Sequence, residues 1–130
     1  MNKLTLLAAV STLALHTVAH AGYLYTPPVT VSTSSYGNSA YGSIQGSYYA
    51  PDRYEYIGCE AGSGASNYSY VFCAAANSAG SAVYCAVVDP PESMIQSVAS
   101  INSQSYVAFS ENPTTGQCTY IEVTDGSPYT

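Results

Sequence analysis

Cys59, Cys73, Cys85 and Cys118 are the four side chains of this 130-residue sequence with the widest choice of chemistry. Thiolates in close pairs hold soft metals or shuttle electrons, whereas cysteines set far apart in exported chains oxidise to structural bridges. The spacings here are 14, 12 and 33 residues, with no C-x-x-C pair of a zinc knuckle or redox motif. An even count in a short exported chain therefore predicts two disulfides, with no metal ligand and no cofactor among them. Three pairings are possible. Cys59–Cys73 with Cys85–Cys118 is preferred, because the first pair flanks the Gly-rich loop AGSGASN symmetrically. One pattern opposes it. In CTYIEV, strict alternation sets Cys118 on the face opposite Ile121 and Val123, while Cys85 shares a face with Val83 and Val87. A strand beginning just after Cys118 would remove the conflict.

Carboxylates are the second chemical class. Glu55 and Glu60 lie close in sequence, and Glu111 and Glu122 fall near the ends of a predicted hairpin. Glycoside hydrolysis needs two such groups about 5 to 10 Å apart beside a sugar cleft. No aromatic-lined strand flanks either pair, so solvated surface acids are expected, and no residue is assigned a catalytic role. No D-x-D-x-D-G loop is present for calcium. Asn67-Tyr68-Ser69 fits the N-x-S glycosylation pattern, a tripeptide that also arises by chance.

The opening MNKLTLLAAVSTLALHTVAHA limits the chemistry further. Lys3 precedes an apolar run from Leu4 to Leu15, and Ala19-His20-Ala21 supplies a small-x-small cleavage site. This layout predicts a secretory signal peptide over residues 1–21, cut after Ala21, and a secreted or periplasmic product. The run is shorter than the roughly 20 residues a membrane helix needs. Removing the leader takes His16, His20 and Lys3, leaving Arg53 against eight acids, a side-chain balance of −7. Without histidine or lysine there is no Ser-His-Asp system, no Cys-His system and no Schiff base. One arginine is too few for a phosphate site, and an anionic chain is repelled by nucleic acid and by anionic membranes.

Elements must hold these residues in place. Residues 22–53, as in STSSYGNSAYGSIQGSYYAPDRY, are rich in Tyr, Ser, Gly and Pro, with only scattered Leu24, Val29, Val31 and Ile44. Such composition predicts a flexible or loosely extended segment, either a linker or a Tyr-based adhesive tail. Residues 54–124 are the expected folded domain. YEYIGCEA, YSYVFCAAA and SAVYCAVVD carry the strand signature, with NSAG as the turn between the last two. DPPESMIQSVASINS changes to helical period, with Asp89 as N-cap, Pro90 at the first helical position, Glu92 in a capping box and Asn102 as a left-handed stop. SYVAFSE and CTYIEV alternate again, and residues 125–130 form a loose tail.

The order β-β-β-α-β-β predicts an α+β fold, a small antiparallel sheet with one helix on one face, stapled by disulfides. The expected core is Val71, Val83, Val87, Met94, Ile95, Val98, Ile101, Val107, Phe109, Ile121 and Val123. A domain of this size carries a marginal core, which is why bridges matter to it. What remains favours contact over catalysis. The expectation is a small exported, non-catalytic protein-binding module, an acidic inhibitor-like or surface-contact protein. Its partner would be another exported or surface protein, cationic by preference, and Tyr48, Tyr49, Tyr54 and Tyr56 are the candidate binding residues. The alternative is a structural component of an extracellular matrix, surface layer or filament, suited by the low charged content of 8%.

Overall fold

A computed structural model describes residues 26–125, so the expected leader and most of the C-terminal tail lie outside the described residues. Among the described residues, seven strands and two short helices follow one another. They are β1 (Thr30–Ser34), β2 (Gly37–Ser43), α1 (Ile44–Tyr48), β3 (Tyr56–Ser63), β4 (Ser69–Ala76), β5 (Ala82–Val88), α2 (Glu92–Ala99), β6 (Tyr106–Glu111) and β7 (Cys118–Thr124). The strands form two antiparallel sheets, one ordered β1-β2-β6-β7 and the other β3-β4-β5.

The expected single sheet is thus corrected to two, and the reason lies in residues 30–48. That stretch, expected to be loosely extended, makes a hairpin and a helical turn, and β2 runs down the middle of its sheet against β6. Its inward positions are small residues. Ala40 and Gly42 are buried, and a Cβ on Gly42 would lie 3.0 Å from the Val29 Cα. Close backbone approach substitutes here for aliphatic bulk, so a shortage of Leu and Ile does not mark a segment without structure.

The inner faces of the two sheets share one core. In the smaller sheet the rungs are Ile57–Ala75–Val83, Cys59–Cys73–Cys85 and Ala61–Val71–Val87. The larger sheet contributes Ala40, Val107, Phe109 and Cys118, and Val29 joins from the segment before β1. Of the expected core, Val71, Val83, Val98, Val107 and Phe109 are buried. Val87, Met94, Ile95, Ile101 and Ile121 pack half-buried against them, and Val123 is half-buried on β7. Helix α2 touches β3, β4 and β7 and drops Val98 into the space between the sheets, so it bridges both layers rather than covering one face.

Both bridges form with the preferred pairing, Cys59–Cys73 and Cys85–Cys118. The face conflict at Cys118 is removed by a β-bulge rather than by a late strand start. Ser110 pairs with Tyr120 and Glu111 with Cys118, leaving Thr119 as the extra residue. That insertion puts Cys118 and Ile121 on the same side.

The helix signals at Asp89 and Asn102 are corrected too. Helix α2 begins at Glu92, its N-cap is Pro91, and no side chain caps it. Pro91 forces Pro90 into an extended conformation, so the helix cannot start earlier. Asp89, at a φ of 49°, instead closes the β4–β5 pair: its carboxylate accepts the Ser69 N–H at 3.1 Å and its own N–H donates to the Ser69 carbonyl at 2.7 Å. At the other end, the C-cap Ser100 has ordinary right-handed geometry, and Asn102 turns the chain by accepting the Gln104 N–H at 2.8 Å.

Candidate binding face

Alternation along β3, β4 and β5 decides which side chains leave the core. With Cys59, Cys73 and Cys85 pointing in, their neighbours point out, and the outward rungs are Tyr56–Ala76–Ala82, Gly58–Ala74–Tyr84, Glu60–Phe72–Ala86 and Gly62–Tyr70–Val88. An antiparallel sheet with one solvated face normally alternates apolar inside and polar outside. This one does not. Its outward face carries a single charged group, Glu60, among aromatic, Ala, Gly and Val residues.

The large apolar residues of that face are open to solvent. Tyr84 is 65% exposed, Val88 64%, Tyr56 46% and Phe72 36%. Between Tyr56 and Phe72 lies a shallow hollow of about 320 Å³, floored by Gly58 and Ala74 and edged by Glu60. Tyr70 lies across Gly62, where a Cβ would come within 2.6 Å of its hydroxyl. The glycine thus provides a bed for the ring, a cross-strand packing that stiffens this end of the sheet. Tyr68 covers Gly64 in the same way. Exposed apolar clusters of this kind mark interaction surfaces more than scattered single residues do.

The outer face of the four-stranded sheet also carries tyrosines, but they are engaged locally. Tyr41 and Tyr106 pack with ring centroids 6.2 Å apart, and the Tyr120 hydroxyl donates to the Glu122 carboxylate. That hydrogen bond holds the phenol above its ordinary pKa, with burial and the Glu122 charge adding to it. Ser39 and Ser110 share the Tyr120 rung and Glu122 lies on the Tyr41 rung, so the surface is mixed and polar.

The four tyrosines singled out in sequence divide between places. Tyr56 belongs to the aromatic face. Tyr54 lies just beyond it, with its ring 3.9 Å from where a Cβ on Gly80 would sit, beside the β4–β5 turn. Tyr48 and Tyr49 project from the end of α1 and pack edge to face against each other, centroids 5.1 Å apart. Phe72, Tyr84 and Val88 join the aromatic face without being among the tyrosines that the sequence singles out. Their signal was present: each sits one or three residues from a core cysteine, on the opposite parity.

The acids are mostly committed to structure. Glu55 accepts the Val29 N–H at 3.3 Å, and Glu111 accepts the Asn38 amide at 2.8 Å. Asp52 accepts the N–H groups of Glu55 and Tyr54 at 2.7 and 2.8 Å, and these bonds, Glu55 first, hold its carboxyl below the ordinary value. Ser105 donates to Asp125. The Sγ atoms of Cys73, Cys85 and Cys118 lie within 4.8 Å of one another in the core, all of them consumed in the two disulfides. With no free cysteine, this sulfur cluster fits an oxidising extracellular setting. Among the described residues no helix is long and apolar enough to cross a membrane.

No protein-family model, no curated protein and no solved structure matches this chain.

Proposed function

We propose that the chain is a small exported, non-catalytic protein-binding module whose contact surface is the outward face of β3, β4 and β5. The observation that carries this reading is the cluster of Tyr56, Phe72, Tyr84 and Val88, exposed on one rigid sheet with Glu60 as its single charge. Aromatic side chains dominate the binding energy of protein interfaces, because they bury large areas at little cost in rotamer entropy. The sheet holds them rigidly: β4 is paired on both sides, and the Cys59–Cys73 bridge crosses its middle. Binding therefore requires little ordering of the surface.

The charge balance supports a cationic partner. Eight acids against Arg53 in the mature chain would draw a cationic protein, such as a basic secreted hydrolase that the module could inhibit. Titrating the mature chain against a basic and an acidic secreted hydrolase at low and high salt tests this. Binding to the basic protein alone, weakening as salt rises, is expected. Absence of that binding, or indifference to salt, would refute it. The alternative, a structural matrix or filament component, draws on β1, a sheet-edge strand without a single charge. It predicts polymers in size-exclusion chromatography where the binding module predicts a monomer.

A further inference from the structure

The geometry points to the hollow between Tyr56 and Phe72 as a receptor for one basic side chain of the partner, arginine in preference to lysine. This rests on the protein-binding reading above and names the group that would be recognised.

Four features of the hollow act together. Its walls are aromatic, and the faces of aromatic rings carry negative electrostatic potential. Its one carboxylate, Glu60, stands beside Phe72 on the same rung and adds charge of the same sign. Its floor is Gly58 and Ala74, so a flat group can lie close to the sheet. The space is open, for nothing lies within 4 Å of where a Cβ on Gly58 would sit. Rings and carboxylate thus attract a cation and repel an anion. A guanidinium suits both at once, since its plane stacks on a ring while its edge donates two hydrogen bonds to a carboxylate. Ammonium is more strongly hydrated and has no plane to stack.

Other occupants fit less well. A sugar would stack on the rings but would leave the Glu60 charge unpaired, with only that carboxylate and the Tyr56 and Tyr84 hydroxyls on these rungs to meet its own hydroxyls. A second copy of the chain brings only Arg53 as a cation among the described residues. The sheet face measures about 15 by 25 Å, by ordinary strand spacings, well under the roughly 800 Å² per partner of a stable complex. The face is therefore the hot-spot part of an interface with a larger protein, and the hollow receives that protein's arginine.

The test is an NMR titration of the mature chain with a blocked tri-arginine peptide, a tri-lysine peptide and a neutral cello-oligosaccharide. The arginine peptide should shift Tyr56, Gly58, Glu60, Phe72 and Ala74, and bind more tightly than the lysine peptide. Gly58→Val fills the hollow in a strand that welcomes β-branched residues, and Glu60→Gln removes the charge. Each should weaken the arginine peptide about tenfold, the scale of one charge-assisted contact, with an unchanged fold in the NMR spectrum. Glu60→Asp should retain part of the affinity. Shifts elsewhere, an equal response to lysine, or undiminished binding by both variants would overturn the assignment, as would the oligosaccharide shifting these residues instead. Should the basic hydrolase bind both variants as tightly as the parent, this hollow falls while the binding-module reading stands. Loss of the hydrolase interaction with the peptide response intact would mean the reverse.

Discussion

At the scale of single residues, the inward cysteines decide where their neighbours in the small sheet go. Cys73 and Cys85 announce their strands, and once they are inside, Phe72 and Tyr84 have no choice but to face out. Gly42 was opaque because its role is the absence of a side chain, which lets Val29 settle against the backbone of a central strand. Asp89 followed by two prolines resembles a helix start, yet Pro90 and Pro91 delay the helix and free the Asp89 carboxylate for Ser69. Asp52 offers a test at this scale. Its folded pKa lies below the ordinary 3.8 because Glu55 and Tyr54 donate N–H bonds to the ionised form. Its contribution to holding the 52–55 turn is therefore complete above the ordinary value and is lost as pH falls through the lowered one. The Tyr54 and Glu55 amide resonances should move together on acidification with a midpoint below 3.8, and Asp52→Asn should flatten the curve. A midpoint at or above 3.8 would contradict the assignment.

Strands and bridges give a second layer of explanation. The runs that became β3 to β7 were visible from β-branched and aromatic content bounded by turn residues. The hairpin of β1 and β2 was not, because Ser, Gly and Thr form strands only when another sheet accepts their small inward faces. Partnership between strands was also hidden, since nothing local says that β6 pairs with β2 rather than extending the three-stranded sheet. The bulge at Thr119 shows why alternation alone misassigned Cys118. The two disulfides differ in what they constrain. Cys59–Cys73 joins strands that are already paired directly at those residues, with 14 residues between the cysteines. Cys85–Cys118 joins the two sheets across the core, with a separation of 33. On chain entropy the longer loop stabilises by roughly 3.7 kcal/mol and the shorter by about 3 kcal/mol. The Cys85→Ser/Cys118→Ser variant should therefore lose more stability in urea melts than Cys59→Ser/Cys73→Ser, and the reverse order would contradict this account.

For the molecule as a whole, the division of labour between the two sheets matters most. The four-stranded sheet turns a mixed polar surface to solvent, with its tyrosines engaged by one another and by Glu122. The three-stranded sheet exposes apolar rings that nothing in the described chain covers, and it is braced by both bridges. A small chain that places large apolar residues on its outside loses core by doing so, a cost that a binding role would explain. The direct measurement is amide hydrogen exchange of the mature chain alone and saturated with the basic hydrolase. The account predicts new protection at β3, β4 and β5, centred on the rungs of Tyr56 and Phe72, with β6, β7 and the Tyr48–Tyr49 corner unchanged. Protection confined to β6 and β7 or to that corner, with the aromatic sheet exchanging as before, would contradict it.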